Sequence, residues 1–187
     1  MMNSQRELML SGAFYKADDG DLVADRRACQ RVLDAFNATR ADDDDTRRQL
    51  LDELLGSVGS NSVILPRFQC DYGTNITIGA NTFVNYDAIM LDCAAITIGD
   101  YVSIGPRVQL VTAWHPVDDH EARRAGWEAA SPITIGDNSW IGAGAILCPG
   151  VTVGDNAIIG AGSVVTKDVP GRVVAVGNPC RVIREVR

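Results

Sequence analysis

His115 and His120 are the only imidazoles in a chain of 187 residues. Imidazole can take up and return a proton near neutral pH, so either could serve as a general base. His120 stands among Asp118, Asp119 and Glu121 and reads as a surface residue. His115 precedes a proline in Thr112-Ala113-Trp114-His115-Pro116. The five cysteines are Cys29, Cys70, Cys93, Cys148 and Cys180. Their number is odd and no two form a C-x-x-C pair, which argues against a disulfide framework or a zinc site. Reduced thiols in a cytoplasmic protein are the expectation. The run Asp42 to Asp45 could hold a metal, but carboxylates ahead of a helix usually face solvent, and no metal is expected.

These residues must be positioned by two kinds of element. The N-terminal part is helical. Ser4-Gln5-Arg6-Glu7 fits a capping box ahead of Leu8-Met9-Leu10. Asp21 is placed to cap a second helix, whose apolar face is Cys29, Val32, Leu33 and Phe36. A third helix carries Leu50, Leu51, Leu54 and Leu55, and Gly56 is placed to end it. The chain divides near residue 57.

From Val63 onward short aliphatic runs are punctuated by Gly, Asn and Asp. Ile135, Ile141, Leu147, Val153, Ile159 and Val165 recur every sixth residue, with small or β-branched residues four places after each. Ile98, Ile104 and Leu110 obey the same rule, and Ile78, Val84 and Met90 form a looser run. A period of six is neither helical nor simple strand alternation. It predicts short strands joined by tight corners and stacked coil upon coil, each coil bonded to its neighbours. Between Leu110 and Ile135 the period stops, so His115 and His120 lie in an excursion from the scaffold, a favoured place for function.

Composition agrees. Hydrophobic residues are 46 % of the chain, aromatics only 6 %, and there are 18 glycines. An aliphatic interior with small residues at its corners needs that balance. The formal charge is −7, which argues against a nucleic-acid binder. No basic stretch precedes an apolar run at Met1-Met2-Asn3, so no signal peptide is expected, and no segment reads as a membrane span. The charge is uneven: residues 1–60 hold 12 acids and 8 bases, whereas residues 133–187 hold five bases and four acids.

The repeat resembles that of the hexapeptide transferases. More narrowly, the chain resembles the maltose and galactoside O-acetyltransferases and the related nodulation acetyltransferase. The resemblance rests on Phe68-Gln69-Cys70-Asp71-Tyr72-Gly73, the Thr112–Pro116 segment, Pro132 to Gly142, Gly160 to Pro170 and Gly177-Asn178-Pro179-Cys180-Arg181. It implies a mainly β fold: a left-handed parallel β-helix of hexapeptide repeats with a small N-terminal α-helical cap and a C-terminal tail. The expected division is a cap over 1–57 and a repeat body over 58–187, with a catalytic loop at 111–134 and a tail at 171–187.

The same resemblance implies acetyl transfer from acetyl-CoA to a sugar hydroxyl, with His115 as general base in a direct transfer. It implies an oxyanion donor at the main-chain N–H of Ala143, and contacts from Asn85 to acceptor and thioester. Asp18, Asp71 and Asp92 become candidate sugar ligands. In relatives Ser can stand in place of Asp71 and an acidic residue in place of Cys93. Glu128 could orient His115 or touch the acceptor. Gly142 and Ala161 would line the pantetheine arm, and Thr166, Lys167, Arg181 and Arg184 match coenzyme contacts. A homotrimer with sites between subunits is implied, with no nucleic-acid or membrane partner. Other readings stay open: a hexapeptide transferase acting on serine, a xenobiotic or a nucleotide sugar, or a non-catalytic β-helix scaffold. A γ-class carbonic anhydrase would need three histidines, and the chain has two.

Overall fold

A computed structural model describes residues 4–187. The Met1-Met2-Asn3 part of the N-terminal reading lies outside the described residues. The body is a parallel β-solenoid of about six coils with three flat sides. The first side stacks Ser57–Val58, Ile76–Ile78, Ile96–Ile98, Ile133–Ile135 and Thr152–Val153. The second stacks Val63–Ile64, Phe83–Val84, Ser103–Ile104, Trp140–Ile141, Ile158–Ile159 and Val173–Val176. The third stacks Phe68–Cys70, Ala88–Leu91, Gln109–Val111, Ile146–Leu147 and Val164–Val165.

The six-residue period becomes a register. Ile78 pairs with Ile98, Ile98 with Ile135 and Ile135 with Val153, so each repeat aliphatic sits on the last. Val84, Ile104, Ile141 and Ile159 form the second inward column. Met90, Leu110, Leu147 and Val165 form the third. All twelve are buried, and each contributes about 1.5–3 kcal/mol of apolar burial. Ser139, Ala145, Ala157 and Ser163 fill the corners, also buried. Their hydroxyls are satisfied: Ser139 donates to the Gly154 carbonyl at 3.0 Å and Ser163 to that of Gly160 at 2.6 Å.

The solenoid starts earlier than Val63. Val58, Ile64 and Cys70 make a complete first coil. Eight residues separate Cys70 from Ile78 and Met90 from Ile98, against six from Leu147 to Val153. The corner between the third and first sides is thus two residues longer in the early coils, which hid the repeat there. Those longer corners carry Asp71 and Asp92.

The helices are α1 (Gln5–Leu10), α2 (Gly20–Asn37), α3 (Asp44–Leu54) and α4 (His120–Arg124). The capping box forms at Ser4 and Glu7. The cap of α2 is Asp19, whose carboxylate accepts from the N–H groups of Asp21 and Leu22; Asp21 is already inside the helix. Cys29, Leu33 and Phe36 turn inward and join Leu51, Leu54 and Leu55 over the first coil. Asn37 stitches α2 to that coil, donating to the Phe68 carbonyl and accepting its N–H, both at 2.9 Å. Asp44 and Asp45 occupy the first turn of α3. Helix α3 ends at an extended Leu55. Gly56 is needed for a different reason: a Cβ there would lie 2.5 Å from the Thr74 carbonyl oxygen.

The excursion after Val111 is a hairpin. Ala113–Trp114 pairs antiparallel with Ala129–Ala130, and Trp127–Glu128 pairs in turn with Tyr15–Lys16 from the N-terminal segment. Beyond the last coil, Arg181–Glu185 folds back antiparallel on Val173–Val176. No helix among the described residues is long and apolar enough to cross a membrane.

Candidate functional site

His115 follows the first strand of the hairpin and is exposed. Its Nδ1 lies 3.2 Å from the Trp127 carbonyl oxygen. A carbonyl can only accept, so Nδ1 carries the proton in the neutral ring and Nε2 keeps its lone pair. Nε2 lies 3.8 Å from Oε2 of Glu128, a largely buried carboxylate. Such a ring can take a proton at Nε2, and the adjacent carboxylate then balances the charge.

Glu128 is held in turn. The Tyr15 hydroxyl donates to its Oε1, and Tyr15 has no exposed surface. Burial raises the Tyr15 phenol above its ordinary range, with Cys93 and Glu128 adding to the effect. Burial likewise pushes the Cys93 thiol up to about 12. The Cys93 thiol donates to Asp71 Oδ2 at 3.5 Å. Asp71 is raised by burial, partly offset by that hydrogen bond and by Arg26. His115, Glu128, Tyr15, Cys93 and Asp71 therefore form one continuous polar group. Tyr15 and the Trp127 carbonyl carry no signal in the sequence, and Cys93 enters there only as a place where relatives can carry an acidic residue. No periodic signal joins residue 15 to residue 128.

Asp92 behaves differently from its expectation as a sugar ligand. It has no exposed surface. One carboxylate oxygen accepts the N–H groups of Asp71 at 3.0 Å and Tyr72 at 2.8 Å, and the other accepts that of Asn75 at 3.3 Å. It lies beneath the site as a brace of the long corner, not on its wall. Asp18 is exposed, just before the Asp19 cap of α2. His120 opens α4 and is exposed.

The remaining candidates fall on two edges. Asn85, Gly142, Ala143 and Ala161 share the corner between the second and third sides. His115, Asp71, Thr166 and Lys167 belong to the corner between the third and first sides. The whole third side lies between the two sets, so one chain does not bring Asn85 or Ala143 to His115. Asn85 accepts the N–H of Tyr86 at 2.7 Å. The Asn85 edge forms a groove of about 500 Å³ lined by Tyr86, Pro106, Arg107 and Ala143, among others. Among the described residues, the N–H groups of Ala143 and Ala161 have no hydrogen-bond acceptor. A row of free donors beside small residues suits an extended amide-bearing chain. Gly142 permits the tight stack: a Cβ there would lie 2.5 Å from the Ala161 nitrogen. Thr166, Lys167, Arg181 and Arg184 are exposed, and among the described residues none of the three cations has a carboxylate partner. A depression of about 540 Å³ lies over the cap helices around Cys29 and Tyr72, and His115 does not line it.

Comparison with known proteins gives two family matches. Residues 8–59 match the maltose acetyltransferase hexapeptide capping motif, and residues 132–167 match the bacterial transferase hexapeptide with six repeats. Nodulation protein L of Rhizobium meliloti (strain 1021) is 50 % identical over 97 % of this chain and 99 % of its own length. A maltose O-acetyltransferase from Clostridium difficile 630 superposes with a TM-score of 0.97 at 50 % identity, covering 99 % of this chain and 98 % of that one. A galactoside acetyltransferase in complex with coenzyme A superposes with a TM-score of 0.95 at 40 % identity, covering 100 % and 92 %.

Proposed function

The chain belongs to the hexapeptide-repeat acetyltransferases of the maltose and galactoside O-acetyltransferase type, and from that premise we propose that it moves an acetyl group from acetyl-CoA to a sugar hydroxyl. The observation that carries the reading is the placement of His115, with Nδ1 tied to the Trp127 carbonyl and Nε2 beside Glu128. Nε2 takes the proton of the attacking hydroxyl as its oxygen bonds to the thioester carbonyl carbon. Glu128 balances the imidazolium. The tetrahedral centre then collapses, the C–S bond breaks, and the imidazolium returns the proton to the departing thiolate. No acyl-enzyme is required. Asp71, at the rim of the same polar group, and the exposed Asp18 accept hydroxyls of the sugar.

The free N–H of Ala143 is the oxyanion donor, and Asn85 contacts acceptor and thioester. Both reach His115 from a second copy of the chain, because they occupy another edge of the prism. A three-sided solenoid closes most simply as a cyclic trimer, each site made by His115 of one copy and Ala143 of the partner subunit. The pantetheine arm runs along Gly142 and Ala161. Thr166, Lys167, Arg181 and Arg184 hold the phosphorylated end, where unpaired cations suit anionic oxygens.

The test is thiol release from acetyl-CoA across a panel of mono- and oligosaccharides, with His115→Ala alongside. We expect sugar-dependent release, at least a hundredfold lower kcat in the variant, and an unchanged fold by circular dichroism. Release with no sugar, but with serine or an amine, would move the assignment to another acceptor class. Light scattering should give a trimer, and an active monomer would overturn the shared site.

A further inference from the structure

We propose that Tyr15 is a positioning residue for the base: its hydroxyl holds Glu128 so that the free carboxylate oxygen faces His115. The inference rests on the acetyl-transfer reading above. The antiparallel register sets Tyr15 directly opposite Glu128. The phenol donates to Oε1, and Oε2 is left 3.8 Å from Nε2 of His115. A glutamate is a flexible side chain, and ordering it costs rotamer freedom. Fixing one oxygen to a buried, rigid ring decides where the other points. Charge grows on the imidazole as it takes the proton, and a counter-charge already in place needs no reorganisation at that moment.

The surroundings leave few other partners for this carboxylate. Asp71 and Cys93 face the cluster from the long corner, and Asp71 is itself bonded to Cys93. Lys16, next to Tyr15, turns its ammonium over the Trp127 ring at 4.5 Å and donates to the Ala125 carbonyl. His115 itself comes from the hairpin. The phenol is thus the one group here, among the described residues, that donates to Glu128. The N-terminal cap then does more than cover the first coil: it supplies the clamp on the catalytic hairpin. A tyrosine that merely fills the core would stabilise the fold without acting through Glu128.

The experiment compares Tyr15→Phe, Glu128→Ala and the double variant. The phenylalanine keeps the ring and removes only the donor. We expect Tyr15→Phe to lower kcat about tenfold in the wild-type background and to have no further effect in the Glu128→Ala background. Equal losses in both backgrounds would overturn the proposal. A second readout needs no activity. The chain has two histidines, so NMR at a single pH follows the ring signals of both, with His120 as internal reference. Tyr15→Phe and Glu128→Ala should each move the His115 ring signals and leave those of His120 in place. Unmoved His115 signals in either variant would overturn it. If the wild-type protein acetylates no sugar, the function above falls, and the ring signals still decide the role of Tyr15.

Discussion

The carboxylate of Asp92, with no exposed surface, accepts the main-chain N–H of Tyr72 at 2.8 Å. Burial raises Asp92 to about 6, and the N–H donors of Tyr72, Asp71 and Asn75 only partly offset it. An unfolded aspartate titrates near ~3.9. Between these values the folded protein binds a proton that the unfolded chain does not. The contribution of Asp92 to stability therefore falls as pH rises through that window and is level above it. Asp92→Asn abolishes the ionisation but turns a donor toward Asn75. Melting temperatures from pH 4 to 7 should show the variant furthest below wild type in acid and closer near neutrality. A gap independent of pH would contradict this. Asp92→Ala strands the buried N–H of Tyr72 and the part-buried N–H groups of Asp71 and Asn75, at up to about 1–3 kcal/mol each, and should unfold more readily.

The contact between His115 Nδ1 and the Trp127 carbonyl predicts one neutral tautomer. Nitrogen-15 shifts at high pH should report a protonated Nδ1 and an unprotonated Nε2 for His115. The reverse assignment would remove Nε2 as the base.

Cys93 and Asp71 are a coupled pair. Cys93→Asp sets a second carboxylate against Asp71 in a half-buried site, where like charges repel. We expect a loss of about 1–3 kcal/mol in stability at pH 7, largely recovered by adding Asp71→Ser. Chemical denaturation of the two single variants and the double variant measures the coupling. Simple additivity would show that the two side chains do not interact.

Glycines at two positions should respond oppositely to alanine. At Gly142 the new Cβ would lie 2.5 Å from the Ala161 nitrogen, backbone that cannot move without opening the coil stack. Gly142→Ala should cost more than about 3 kcal/mol. Gly20, first in α2, has nothing within 4 Å. Gly20→Ala should be neutral or stabilising by up to about 1 kcal/mol. Urea denaturation of both variants checks the contrast.

The later coils were legible in the sequence because their physics is local. A narrow interior admits Ile, Val and Leu, and tight corners admit Ser and Ala, every sixth residue. The first coil was not, because the longer corners after Cys70 and Met90 break the count. The stalled period put both histidines in the excursion, and only the family resemblance of the Thr-Ala-Trp-His-Pro segment picked out His115. The burial of Asp92 could not, since an aspartate before Cys93 in a turn looks like a surface residue until three N–H groups are seen around it. The Tyr15–Glu128 contact spans the strand pairing between cap and hairpin, and neither segment announces the other. Asn85 and Ala143 were placed by resemblance, and only the stacking order puts them on a different edge from His115.

A stack of parallel strands ends, in principle, in unsatisfied backbone at both extremities, and each extremity is a template for another molecule. Here α2 and α3 close one extremity, and the return strand Arg181–Glu185 closes part of the other with the opposite polarity. An incoming first coil would need parallel partners and meets an antiparallel one. The same tail that we propose offers Arg181 and Arg184 to a phosphorylated ligand thereby acts as a terminator of lengthwise growth, keeping a fold with fibre-like repetition from becoming a fibre.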